Sequence, residues 1–474
     1  MKKIFVVFIL LLAWRATFAD TLTGLTLDTD SKKPIEGVSI YIQELNLITI
    51  SDIDGKFFFS NLEPGTYKIT IKRIGYTGEK LEINFPETNK LNIHLKFKPL
   101  VVEGIKISST KARERETPVT FTNLLQEEII RNNYGQEIPM LLDEVPGVFT
   151  YSDAGGIIGN AHLNIRGFDQ KRIGVMINGI PLNDPEDHNV YWVNMPDFAE
   201  STSDIQFQRG VGSSLYGIST FGGSLNMQTS PLISENRTEV FASYGSFKTF
   251  KAGVKLARRF GKYSTNIRFS KVGSDGYRNN SVSDLWAIFT NISRIGDKSV
   301  TEFNFYTGHE LTHAAWEASW EGDLEVNHQH NPYTYDNYVD DFSQPHFELH
   351  HNYFLNERSD IKNSFFYIRG KGFYEQYKYD RNLWEHGLVA EDNDEEADMI
   401  RQKWVTKNHY GWVSQYNLRH KMGSLTLGSY LSLFDSDHWG EIIEVIGADT
   451  LGISYEKGQN YYNYTGDKQY ITFY

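Results

Sequence analysis

The sequence predicts a multi-domain, mainly β exported chain: a small all-β sandwich, then a mixed α/β domain, then the N-terminal part of an antiparallel transmembrane β-barrel. Three observations predict it. An export signal opens the chain. Period-two alternation of apolar and polar residues runs from about residue 236 to the end. Aromatic residues make up 14% of the 474 positions, yet mean hydropathy is −0.44. Many rings without long apolar runs suit strands that are apolar on one side only, with rings forming interfacial girdles.

The export signal covers residues 1–19. Lys2 and Lys3 form its positive start, and Ile4 to Trp14 an apolar stretch too short to span a bilayer. Thr17 and Ala19 occupy the −3 and −1 places of a signal-peptidase site, so cleavage is expected after Ala19. No later segment approaches the apolar length of a transmembrane helix. The chain has no cysteine, which excludes disulfides, thiolate metal sites and a thiol nucleophile. The net charge is −13, and no basic stripe marks a nucleic-acid partner. The length exceeds one domain.

Residues 20–98 read as the sandwich. "VSIYIQEL", "GKFFFSNL", "GTYKITIKRIGY" and "KLNIHLKF" are short β-rich runs separated by the turns Asp52-Ile53-Asp54-Gly55 and Glu63-Pro64-Gly65. "SDIDG" lacks the later ligands of an EF-hand and is read as a hairpin turn. Gly24, Asp28, Pro34, Gly37 and the run "SDIDGKFFFSNLEPGTYKITIKRIGY" resemble the carboxypeptidase regulatory-like domain. That resemblance implies a non-catalytic module of the kind that precedes outer-membrane receptors. Residues 99–118 are β-prone and then charged, which suits an extended tether.

Residues 119–231 are mixed. Leu124, Leu125, Ile129 and Ile130, then Ile138, Leu141 and Leu142, carry helical spacing. "LNIRGF", "RIGVMINGIPL" and "SDIQFQRG" read as strands, and Asn178-Gly179 as a two-residue hairpin turn. There is no G-x-G-x-x-G after a strand and no P-loop, so no nucleotide cofactor is expected. From residue 232 onward the barrel is expected. Phe250, Ala252, Val254 and Leu256 oppose Thr249, Lys251, Gly253 and Lys255. Tyr263, Thr265, Ile267 and Phe269 oppose Ser264, Asn266, Arg268 and Ser270. Leu425, Leu427, Leu431 and Leu433 oppose Thr426, Gly428, Tyr430 and Ser432. Short turns alternate with long polar loops, as in an outer-membrane barrel.

"LNIRGFDQKRIGVMINGIPLND" and "SDIQFQRGVGSSLYGISTFGGSLNMQTS" resemble the two signature stretches of the plug domain of TonB-dependent outer-membrane receptors. Arg166, Gly167, Phe168, Asn178, Gly179, Ile180, Pro181 and Leu182 fall where that family has its matching residues. So do Gly210, Leu215, Tyr216, Gly217, Gly222, Gly223, Ser224, Leu225 and Asn226. At 205–209 "IQFQR" stands where an Arg-Ile-Glu-Val type run is common, so the salt-bridge chemistry of that run is not carried over. Glu103, Gly104, Ile105, Lys106, Ile107, Ser108 and Ser109 resemble a TonB box, whose alternation suits strand addition to a partner's sheet edge. The resemblance implies an outer-membrane location and TonB, with its inner-membrane energising complex, as partner. It further implies contact with outer-membrane lipid and a small solute such as an iron chelate. It leaves room for a surface lipoprotein partner and requires neither cofactor nor catalysis. A ligand-binding or signalling receptor, or an adhesin, that does not transport is the alternative.

Two expectations remain. "HELTH" fits the zinc pattern in which His309 and His313 hold the metal and Glu310 acts as general base, the remote alternative of a metallopeptidase; the scaffold for one is missing and stretches this rich in histidine produce chance matches, so no catalytic zinc is expected. It follows the alternating run "VTEFNFYTG", so it is expected to open a long loop at about 310–345, where Glu317 or Glu321 would be the third ligand. The looser loop set His309, His313, His328 and His330 is a second candidate metal site. Finally, residues 236–474 supply only about ten to twelve strands, against about 22 in a plug-filled barrel. The chain is therefore expected to stop partway round the barrel.

Overall fold

The computed structural model describes residues 21–29, 31–73, 76–96, 112, 120–210, 221–229, 236–296, 298–356, 358–390, 394–420 and 422–474. The export signal, Glu103–Ser109 and Leu215-Tyr216-Gly217 lie outside them. Two compact units divide the chain, near residue 101.

The first unit is a two-sheet sandwich of β1 (Leu22–Asp28), β2 (Ser39–Ile42), β3 (Leu47–Ile50), β4 (Lys56–Phe59), β5 (Gly65–Lys72), β6 (Glu79–Phe85) and β7 (Lys90–Leu95). One sheet has the order β4-β1-β7 and the other β3-β2-β5-β6. Alternation decides what is buried: Leu91, Ile93 and Leu95 point in, while Lys90, Asn92 and His94 point out. Leu22, Ile40, Ile42, Ile69 and Ile71 complete the core between the sheets. Each fully buried aliphatic contributes about 1.5–3 kcal/mol. The "SDIDG" stretch is a turn: Asp52 Oδ1 accepts the amides of Asp54 (3.0 Å) and Lys56 (2.8 Å).

The second unit begins with a mixed domain. It comprises β8 (Thr120–Leu125), α1 (Gln126–Asn132), α2 (Ile138–Leu141), β9 (Val148–Ser152), β10 (Ala161–Ile165), β11 (Ile173–Ile177), β12 (Ile180–Pro181), β13 (Thr202–Arg209) and β14 (Gly223–Thr229). Its main sheet has the order β12-β11-β14-β13-β8, parallel between β11 and β14 and antiparallel elsewhere. The helical reading of Leu124 and Leu125 is corrected: both end strand β8, which pairs with β13. α1 starts after them, burying Ile129 and leaving Ile130 exposed. At the β11–β12 hairpin, Asn178 (φ 54°) and Gly179 (φ 85°) are both left-handed, as a type I′ turn requires.

An eleven-stranded wall follows: β15 (Arg237–Tyr244), β16 (Phe250–Phe260), β17 (Tyr263–Ser274), β18 (Ser283–Ile295), β19 (Ser299–His313), β20 (Val339–Ser343), β21 (His346–Asn356), β22 (Ser359–Asn382), β23 (Glu396–His420), β24 (Gly423–Val445) and β25 (Gln459–Phe473). Each strand pairs with the next, except where β20 and β21 share one place between β19 and β22. Pro345, which has no amide to give a ladder, separates those two. Short connections, 261–262, 296–298, 357–358 and 421–422, alternate with long ones, 275–282, 314–338, 383–395 and 446–458. Polarity runs the opposite way from that of a water-soluble sheet. Val240, Leu256, Ile267, Phe269, Leu425, Leu427 and Leu433 are exposed, while Lys251, Lys255, Asn266, Arg268 and Asn304 are buried. An apolar outside and a polar inside is the pattern of a wall set in lipid. No described helix is long and apolar enough to cross a membrane.

Candidate functional site: a seat for the middle domain and a cavity over it

The mixed domain packs on the inner face of the wall. One face of its sheet supplies Ile173, Val175, Ile205, Phe207, Leu225 and Met227 to a core that also takes Phe289 and Tyr306 from the wall. The alternate positions, Gln206, Gln208, Ser224, Asn226 and Gln228, are also buried but polar.

Three polar seats hold the domain. In the first, Asp197 and Glu200 lie on a 3-10 turn against β16 and β17. Lys251 Nζ is 2.8 Å from both Asp197 Oδ1 and Glu200 Oε2, Lys255 Nζ is 2.5 Å from Glu200 Oε1, and Arg268 Nη1 is 2.9 Å from Asp197 Oδ2. Arg268 Nε also donates to Ser201 Oγ at 2.8 Å. Burial alone raises the Glu200 carboxyl, but the ammonium groups of Lys255 and Lys251 outweigh it and hold it at about 2.

The second seat is the Asn178-Gly179 hairpin. Asn178 Oδ1 accepts the Thr229 amide (3.0 Å), and its Nδ2 donates to Glu348 Oε2 on the wall (2.7 Å). Glu348 accepts further from Asn304 and Tyr306, each at 2.9 Å, and His350 Nε2 lies 2.9 Å away. The third is the acidic loop after β12. Lys407 Nζ is 2.5 Å from Asp184 Oδ2, while Ser436 Oγ donates to Glu186 (2.7 Å) and His438 Nε2 lies 2.9 Å from it. Burial raises the Glu186 carboxyl, yet Ser436, His438 and Lys407 together bring it below its ordinary value. Close approach between the seats needs Gly308 on β19. A Cβ there would lie 2.3 Å from Pro196 Cδ and 3.0 Å from the Asn194 carbonyl oxygen.

Residues 113–224 match the TonB-dependent Receptor Plug Domain, and 22–107 the CarboxypepD_reg-like domain. The chain carries a TonB-dependent receptor plug domain. No curated protein matches it significantly. Its fold is similar to that of the ferric-catecholate import receptor Fiu of E. coli K12 in the open form (TM-score 0.52, 15% identity, 70% of this chain and 51% of that one). It is similar also to the siderophore receptor PiuA of Acinetobacter baumannii (0.57, 13%, 78% and 55%). The ferric citrate transporter FecA in its unliganded form gives 0.57 at 13% identity, over 76% of this chain and 53% of that one. The chain thus spans about half the length of these solved structures.

Most of the plug signature residues are turn formers rather than contacts. Arg166 (φ 50°) and Gly167 (φ 83°) turn the chain after β10, where Phe168 and Ile165 exchange backbone hydrogen bonds at 2.9 Å. Gly222 and Gly223 admit β14 beside Phe168 and Gln208, and Gly210 is left-handed at the end of β13. Asn226 is buried on the polar face. At the departure from the family run, Gln206 bonds through its amide. Gln206 accepts the Ala112 amide through Oε1 (2.6 Å) and donates to the Ala112 carbonyl through Nε2 (2.9 Å). The plug sheet thereby holds the tether two-handedly, three residues beyond Ser109.

The expectation that "HELTH" opens a long loop is corrected. These residues end strand β19; the loop starts at Ala314. On a strand the two histidines are about 13 Å apart, not one helical turn. His309 Nε2 lies 3.0 Å from Asp341 Oδ1, and His313 Nδ1 lies 2.9 Å from Asn280 Oδ1. His330 Nδ1 is 3.0 Å from Ser319 Oγ, and His328 is exposed. No cluster of three metal-ligating side chains forms among the described residues.

Over the plug lies a cavity of about 530 Å³. Asp184, Tyr191 and Asn194 of the plug floor it, the 314–338 loop contributes Trp316, Tyr333 and Tyr338, and β19, β20, β22 and β23 form its sides. Sequence reading missed Asp197, Glu200 and Glu348. It did place Lys251, Lys255 and Arg268 on the polar side of their strands, and charged residues at inward positions of a lipid-facing sheet were the available signal.

Proposed function

We propose that the protein is an outer-membrane receptor that takes up a scarce solute, with energy delivered by TonB. One observation carries the reading: a plug held in part by ion pairs and amides, next to an aromatic and charged cavity that the long 314–338 loop helps to line. Such a plug has polar contacts that water can replace, beside apolar ones to Phe289, Tyr306, Phe366 and Leu285 of the wall. Solute binding between plug and loops would bias the tether, TonB would pair with Glu103–Ser109 by strand addition, and the pull would rearrange the plug. The export signal with cleavage after Ala19 belongs to the same reading, as do the roles of the signature residues. Iron chelates are the class we favour, in keeping with the ferric-catecholate, siderophore and ferric-citrate receptors of similar fold. No covalent step is needed.

The test is uptake of labelled solute by cells with and without TonB. Ile105→Pro, which blocks strand pairing, should abolish energised uptake and leave surface binding intact. Unchanged uptake in that variant removes the box assignment; uptake independent of TonB removes the transport reading and leaves a receptor or adhesin.

A further inference from the structure

The cavity carries charges that the plug seats do not use. On one side are two carboxylates. Across the β19–β20 ladder Thr312 is opposite Asp340 and Glu310 opposite Phe342, so all four share the inner face. Glu310 and Asp340 both line the cavity. Glu310 accepts the Thr312 hydroxyl at 3.3 Å. Among the described residues neither carboxylate is paired with a cation. On the other side are Lys378 and Lys403, which line the same cavity. Lys403 Nζ lies 5.8 Å from the centre of the Tyr374 ring. Neither lysine forms a close ion pair among the described residues, although Glu317 shares the cavity, whereas Lys251, Lys255 and Lys407 are all ion-paired.

The ladder fixes the separation. Asp340 is the register partner of Tyr374, and Tyr374 of Lys403. Two strand spacings therefore put the Asp340 and Lys403 backbones about 10 Å apart along one row, with Tyr374 between them. Acidic and basic side chains left without ion-pair partners on one cavity complement a ligand that brings both signs.

We propose that this cavity binds a dipolar solute, whose ammonium meets Glu310 and Asp340, whose carboxylate meets Lys403 and Lys378, and whose flat or aromatic part lies on Tyr374. The proposal rests on reading the cavity as the solute site, and holds whether or not the solute also carries a metal. A span of about 10 Å is that of about three extended residues, and the volume lies in the range of small-solute pockets.

The experiment is calorimetric titration of the purified receptor, in detergent and without TonB, with the tripeptide Gly-Tyr-Gly and its two blocked forms, N-acetylated and C-amidated. The free tripeptide should bind about tenfold or more tightly than either blocked form. Lys403→Met and Lys378→Met should erase the preference over the amide, and Glu310→Gln and Asp340→Asn the preference over the acetyl form. Each substitution is made separately and judged only if its thermal transition matches the parent's. Equal binding of the acetylated peptide and the free one makes the site simply anion-selective and overturns the proposal. So does equal binding of the amide, or binding of none of the three. Because TonB takes no part in the titration, a transport failure in cells would leave these results standing.

Discussion

Glu200 shows how one side chain couples the plug to the wall. Its carboxyl is held at about 2 by Lys255 and Lys251, against 4.5 in an unfolded chain. A depressed carboxylate contributes stability that is fully present above about pH 4.5 and is lost as pH falls toward 2, on the order of 3 kcal/mol in all. Thermal unfolding followed over that window should show the plug loosening, and Glu200→Gln should flatten the curve while lowering stability near neutrality by about 3–5 kcal/mol, because the buried Lys255 loses its close carboxylate while Lys251 keeps Asp197. A parental acid profile in the variant would remove Glu200 from this role. Gln206 makes a second prediction. Gln206→Ala strands the buried amide and carbonyl of Ala112, at a cost of about 1–3 kcal/mol, and hydrogen exchange at the Ala112 amide should accelerate. Exchange as slow as in the parent would mean that another group anchors the tether. The partners in both cases were not legible in the sequence. Lys251 and Lys255 announce themselves by alternation, but Asp197 and Glu200 sit in an irregular turn, and nothing local says which wall strand they meet.

At the scale of elements, strand β19 carries the clearest lesson. Its period-two pattern runs unbroken from Glu302 through His313, with Glu302, Asn304, Tyr306, Glu310 and Thr312 inward. The string that looks like a zinc helix is simply the last third of that strand, so the longer period decides what the short motif means. Leu124 and Leu125 erred the other way: their spacing fits the helix that follows them, but pairing with β13 claims them for β8. Tertiary hydrogen bonding overrode a locally helical pattern, as it does wherever a short segment lies beside an open sheet edge. The fit of β19 to the plug turns on Gly308. Gly308→Val would drive a side chain into Pro196 and Asn194, an overpacking worth about 1–3 kcal/mol. The expected result is a lower melting temperature with new protease cleavage between residues 120 and 229. Gly322→Ala, at a glycine whose surroundings are open, should change neither. Equal behaviour of the two variants would mean that the plug does not press on β19.

The whole molecule combines two kinds of cohesion. In the wall, each strand between the two edges has its backbone ladders closed by its neighbours and the outer side chains want lipid, so Leu427→Lys should cost about 2–4 kcal/mol if it lies near the bilayer midplane, read as reduced assembly into membranes. The plug is held differently. One face of its sheet has the apolar core of an ordinary domain, but the other buries Gln206, Gln208, Ser224, Asn226 and Gln228, and its seats are carboxylates, lysines and amides. Water can replace the neutral amide contacts at little net cost, since a typical hydrogen bond is worth only about 0.5–1.5 kcal/mol against solvent. A ladder surrounded by hydrocarbon has no such replacement. The sequence already hinted at this division through a glycine-punctuated middle segment beside long alternating strands, though not at the amides that line the hidden face. It follows that urea should act on the plug first. In detergent-solubilised receptor, protease sites between residues 120 and 229 should open at urea concentrations that leave the wall's β-sheet circular dichroism unchanged. A single transition for both would mean that plug and wall form one cooperative body, too tightly joined for a pull on the tether to move one without the other.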